Sequence, residues 1–172
     1  GRKLFLFDET ATFTIQHYSL SSPYNISSPT LVKEYSGSSS QTLKQLMGNS
    51  NNPHGFKFSA DGTKMYLTGS KKIFEFSLSD PFDLSNVTFD GEVSLSDEIE
   101  KISGMTFNDT GSKLFAVNFE TGKTSDVHEY NLTCGFGVVK CIDPTKNKDD
   151  VASIETQSEI TKKIIQHTTY PV

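Results

Sequence analysis

One segment of this chain occurs three times, and that repetition limits its possible folds more than any other feature. The copies are Tyr18-Ser-Leu-Ser-Ser-Pro-Tyr24, Phe76-Ser-Leu-Ser-Asp-Pro-Phe82 and Tyr130-Asn-Leu-Thr-Cys-Gly-Phe136, spaced 58 and then 54 residues apart. A second signature precedes each of them: Gly1-Arg-Lys-Leu-Phe-Leu, Gly62-Thr-Lys-Met-Tyr-Leu and Gly111-Ser-Lys-Leu-Phe-Ala. Repeats of about 40–50 residues built from short strands mark propeller blades or arrays, in which one unit cannot bury its apolar face alone.

The central unit can be read strand by strand. Gly55-Phe-Lys-Phe-Ser alternates apolar and polar residues, as a half-buried strand does. Asp61-Gly62 is a hairpin turn, followed by strands at Lys64-Met-Tyr-Leu-Thr and Ile73-Phe-Glu-Phe-Ser-Leu. Pro81 ends the third strand, because proline has no ladder donor, and Val87-Thr-Phe with Glu92-Val-Ser-Leu forms a fourth. Four antiparallel strands per unit make a propeller blade. The third unit repeats this order from Gly104, and the first keeps only strands two to four.

The expected fold class is therefore all-β: consecutive four-stranded antiparallel blades of a partial propeller, with a helical tail. Blades should fill residues 1–142, the first being incomplete, and a helical tail or linker should fill 143–172. Within the tail, Val151, Ile154, Ser158, Thr161 and Ile165 step by three and four, a weakly amphipathic helix. Thr42-Leu-Lys-Gln-Leu-Met47 could make one helical turn in a long inter-blade loop. A closed propeller has four to eight blades, so the expectation is a piece of a longer polypeptide whose other blades lie elsewhere in it or in another chain.

The run Pro53-His-Gly-Phe-Lys-Phe-Ser-Ala-Asp-Gly-Thr-Lys-Met-Tyr-Leu, followed by Ile73-Phe-Glu-Phe-Ser-Leu, resembles the blade consensus of NHL-like, YVTN-type and TolB-like bacterial propellers. The Ser-x-Pro-Phe-Asp-Leu-Ser-Asn segment resembles tandem repeats of large exported proteins. In such proteins a helical linker after the last blade can lead to an autotransporter-type barrel, and residues 154–172 are similar to such a linker. The resemblance implies that the position of His54 faces the central channel.

Few residues suggest chemistry. His54, ahead of the innermost strand, is the candidate ligand-binding residue, but its counterpart in the next blade is Ser103. A site needs several convergent groups, so no catalytic residue, metal or cofactor is expected. Asp61 and Asp109 read as turn caps. Glu75 and Glu129 occupy equivalent positions and suggest a repeated structural role. Phe56 and Phe107 read as core residues. His17 and His128 should line strand faces.

The two cysteines, Cys134 and Cys141, flank a Gly-containing reversal. That spacing favours a disulfide over two free thiols, and fits neither a zinc site nor a redox pair.

The net charge of −5, with acids and bases interspersed, argues against nucleic acid as a partner. The expected role is an exported, non-enzymatic surface module for adhesion, recognition or assembly, with a protein or carbohydrate partner. It would lie outside the cell or on its surface, with the periplasm as second choice, and could be tethered to a membrane through a downstream domain. The alternative is part of a channel-site enzyme of lactonase or lyase type.

Overall fold

A computed structural model describes residues 1–9, 12–48, 53–95, 99–119, 125–139 and 141–142, with the backbone of 151–153. Eleven strands form three antiparallel sheets among these residues. The first contains β1 (Lys3–Asp8), β2 (Thr14–Ser19) and β3 (Thr30–Tyr35). The second contains β4 (Pro53–Phe58), β5 (Lys64–Gly69), β6 (Lys72–Leu78) and β7 (Val87–Ser94). The third contains β8 (Ile102–Phe107), β9 (Lys113–Asn118), β10 (Asp126–Asn131) and β11 (Val151–Ser153).

Strand order follows chain order in every sheet. This is the meander that alternating strands and short turns dictate. The first sheet lacks only a counterpart of β4 and β8, as the sequence repeat requires.

One correction belongs to the edge of the third sheet. Val151–Ser153 do not begin a helix. They pair antiparallel with β10 as the fourth strand of the third blade, because an open strand edge offers backbone partners that a three-residue helical start cannot match. The rest of the expected tail, 143–150 and 154–172, lies outside the described residues. The inter-blade loop does contain a helix, α1 (Leu43–Met47), closed by a reciprocal capping box between Thr42 and Gln45. Its Leu43 and Met47 are buried.

Packing explains why the blades stack. One core lies between the first and second blades and gathers Phe13, Ile15, Met65, Leu67, Phe74, Phe76 and Leu84 with α1. A second lies between the second and third blades and gathers Tyr66, Ile73, Ile102, Leu114, Ala116 and Val138. Because side chains alternate along a strand, β5 and β6 feed both cores, which is why these strands read as nearly continuous buried runs.

Aromatic rings repeat the same junction. Phe5 of β1 meets Phe58 of β4 with centroids 4.6 Å apart, and Tyr66 of β5 meets Phe107 of β8 at 4.9 Å. Phe56 and Phe107 are half-buried rather than at the centre of the core.

The two sequence signatures meet in space. Tyr24, Phe82 and Phe136 all have positive φ, near 60°, and their N–H groups donate to the carbonyls of Gly1, Gly62 and Gly111. A Cβ at Gly62 or Gly111 would collide with the aromatic ring that covers it. Glycine is required there by close approach as well as by its own positive φ.

Candidate functional site

Two places gather polar side chains: the junctions between blades, and the inner ends of β4 and β8. At the junction of the second and third blades, Lys64 of β5 donates to Glu75 Oε1 on β6. Glu75 is 3% exposed, and its Oε2 accepts from the backbone N–H groups of Val138 (2.7 Å) and Val139 (2.8 Å). Tyr66 Oη donates to the Phe136 carbonyl. The loop bounded by Cys134 and Cys141 is thus held on the preceding blade by one buried carboxylate and one phenol.

The arrangement recurs with substitutions. Lys113 and Glu129 pair at the same positions in the third blade. In the first blade the counterparts are Lys3 and His17, where Lys3 Nζ donates to the Phe82 carbonyl at 3.1 Å. Asp83 lies close enough to His17 to favour its charged form. The repeated role expected for Glu75 and Glu129 is therefore observed as a lysine–carboxylate pair.

Electrostatics follow from this packing. Burial alone would lower the Lys64 pKa, but its hydrogen bond and ion pair with Glu75, helped by Asp90, raise it above the usual lysine value. Burial raises the Tyr66 phenol strongly, and the charge of Glu75 adds to the effect. An open cleft of about 320 Å³ beside the disulfide is lined by Lys64, Glu75, Ser77 and Asp90. Its cation is already held by two carboxylates.

The inner ends are built by β-bulges. Pro53 pairs with Gly69 and Gly55 with Thr68, so His54 is the extra residue. Ser103 is the extra residue of β8 in the same way. Bulges redirect a side chain and occur beside functional sites. A Cβ at Gly55 would stand 4.0 Å from Gly104 Cα, which marks a close approach of the two inner strands.

His54 is half-buried, and its pKa is lowered by burial and by the positive charge of Lys101, against a smaller opposing effect of Glu9. Ser103 donates to the Val117 carbonyl at 3.3 Å. Among the described residues no cluster of three or more His, Cys, Asp or Glu side chains could hold a metal ion.

Asp61 caps its turn as expected: Oδ1 accepts from Ser59 Oγ at 2.6 Å and from the Thr63 N–H at 3.1 Å. These bonds hold its carboxyl below the usual value. Asp109 does not play that part. With Gly62 and Gly111 aligned, its counterpart is Ala60, and the cap is Asn108, whose Oδ1 accepts from the Lys113 N–H at 3.0 Å.

Cys134 and Cys141 are joined by a disulfide, with Cα atoms 5.7 Å apart. Closing so short a loop is worth about 2–3 kcal/mol in the chain-entropy account. Intact protein alkylated without prior reduction should gain no label, and should gain two labels after reduction. Two labels without reduction would contradict the bridge.

The histidines give a pH prediction. His17 is lowered by burial and by Lys3, and His54 by burial and by Lys101. Between the depressed folded values and the free value of about 6.5, the unfolded chain binds more protons, so stability falls as pH drops through that window. The Asp61 and Asp83 carboxyls, which are shifted down, act only below about pH 4. The melting temperature should therefore decrease from about pH 7.5 to pH 5.5, and should do so less in His17→Gln. A level or rising profile would contradict this.

No protein-family model matches the chain, and no curated protein matches it. A solved structure described as a candidate 6-phosphogluconolactonase from Bacteroides uniformis ATCC 8492 is similar to it, with a TM-score of 0.51 and 17% identity. That likeness covers 90% of this chain and 37% of the other. The blades belong to a propeller-type fold. At this identity the likeness extends to fold alone. The chain spans little more than a third of the structure it matches.

The disulfide points to an oxidising compartment outside the cytoplasm. Among the described residues no helix is long and apolar enough to cross a membrane.

Proposed function

We propose that this chain is a non-enzymatic, exported propeller module that presents its blade surfaces to a protein or carbohydrate partner at the cell surface. The observation that carries this reading is where the repeated ionisable groups are placed. The Lys64–Glu75 and Lys113–Glu129 pairs belong to the blade framework, and at the inner ends His54 is matched by Ser103. Solenoid-like and propeller repeats present extended surfaces suited to recognition. The disulfide supports an oxidising compartment.

Two observations favour a second reading, a channel-site hydrolase: the similar structure is described as a candidate lactonase, and His54 stands on a bulge. A single comparison separates the two. The chain is assayed for hydrolysis of 6-phosphogluconolactone and for binding to a glycan array, as wild type and as His54→Ala. The proposal expects no hydrolysis above buffer, and binding unchanged in His54→Ala. Hydrolysis by the wild type that is lost in His54→Ala would replace it with the second reading.

A further inference from the structure

The loops that follow β2, β6 and β10 share one turn but are stiffened differently. The Asn25 N–H donates to the Ser22 carbonyl, the Asp83 N–H to that of Asp80, and the Gly137 N–H to that of Cys134. In the first two loops the residue inside the turn is a proline, Pro23 or Pro81, whose ring fixes φ. In the third it is Gly135, with Gly137 two residues on, so the backbone itself supplies the least rigidity there. The disulfide between Cys134 and Cys141 constrains that loop instead.

What the third loop holds is the junction of the second and third blades. Its Val138 and Val139 N–H groups donate to the buried Glu75 carboxylate, and its Phe136 carbonyl accepts from Tyr66 Oη. Much of the junction stands without the loop. Tyr66, Ile73, Ile102 and Leu114 share one core, and β9 is tied on both sides by its own ladders.

The bridge is within reach of solvent. Cys134 is exposed, and both cysteines line the open cleft beside Lys64 and Asp90. The counterpart Asp80 is exposed although a third blade follows the second, so a blade after the third would leave Cys134 open as well.

We propose that the Cys134–Cys141 disulfide is a redox latch on this junction: a dithiol reductant opens it, the loop leaves Glu75, and the blades stay folded. One thiolate of the reductant attacks Cys134 Sγ, the S–S bond breaks, and Cys141 leaves as a thiolate that takes up a proton. The second thiol of the reductant then displaces Cys134, and the reductant ends as its own disulfide. Two electrons and two protons pass from the dithiol to the two cysteines. A proline is a permanent constraint on such a loop, whereas a disulfide is a reversible one. The proposal holds whichever partner the propeller surface binds.

Hydrogen exchange on the whole chain, with and without dithiothreitol in native buffer, tests it, and alkylation of the same samples reports the thiols. Dithiothreitol should reduce the bridge without unfolding the protein. The Val138 and Val139 amides should then exchange about tenfold faster or more, while those of β9 stay protected. Cys134→Ser should show the fast exchange without dithiothreitol and should not respond to it. Gly135→Pro, which copies the other two loops, should hold Val138 and Val139 in place even when reduced. A bridge reduced only after unfolding would overturn the proposal. So would unchanged exchange at Val138 and Val139, or β9 amides that quicken by the same factor. Loosening of reduced Gly135→Pro as great as in the wild type would also overturn it. Should Gly135→Pro not fold, the wild type and Cys134→Ser decide between these outcomes.

Discussion

Replacing Glu75 with alanine should destabilise the protein by about 3–5 kcal/mol, the cost of breaking a buried, hydrogen-bonded charge pair. The carboxylate is almost entirely inaccessible and satisfies three donors: Lys64 and the N–H groups of Val138 and Val139. Removal leaves a fully buried Val138 N–H without its acceptor, and an unmade buried bond costs about 1–3 kcal/mol by itself. It also leaves Lys64 with Asp90 as its remaining carboxylate partner.

The same substitution one blade later provides an internal control. Glu129 pairs with Lys113 at partly exposed positions, with side chains 24% and 43% exposed, and such pairs contribute about 0–1 kcal/mol. Urea unfolding of the two variants measures the difference directly. Equal losses at Glu75 and Glu129 would mean that the buried clamp does not hold the blades together.

The contrast between these two glutamates shows what can be read from the chain itself. Their equivalence, and the recurrence of Gly-x-Lys ahead of them, is visible in the repeat. That Lys64 and Glu75 bond to each other follows once the two signatures lie on adjacent antiparallel strands. The second half of the clamp is invisible, because the Val138 and Val139 donors are backbone groups more than sixty residues away and carry no residue-type signal.

The helix at Leu43–Met47 had a readable mark in the Thr42-x-x-Gln45 capping box, but five residues are too few for periodicity to decide. At Val151–Ser153 the three- and four-residue steps suggested a helix, and the free edge of β10 prevailed, a tertiary contact outweighing a weak local pattern. Asp109 misled because an Asp-Thr-Gly turn and an Ala-Asp-Gly turn place their acids one residue apart relative to the shared glycine. Propensity predicts that such turns are capped. The residue that does it is fixed by register.

Phe76 offers the second large effect, and a graded one. Phe76→Ala should cost about 3–5 kcal/mol as the truncation of a fully buried aromatic side chain. The Phe76 ring is wholly inaccessible, and it meets Phe89 of its own outer strand at 5.3 Å and Tyr35 of the preceding blade at 6.3 Å. Its loss would open a cavity shared by two blades, and the flanking strands, tied by their ladders, can collapse into it only in part.

Tyr18 holds the equivalent place in the first blade but is only half-buried, and its hydroxyl donates to Gln16 at 3.0 Å. With less apolar surface removed from water, and less cavity to form, Tyr18→Ala should cost about 1–2 kcal/mol. Because the sequence motif is the same at both positions, the difference isolates the contribution of a neighbouring blade. Thermal or urea melts of the two variants, compared with wild type, decide it. If Tyr18→Ala proved as damaging as Phe76→Ala, the difference in burial between the two rings would not be what sets their contribution to stability.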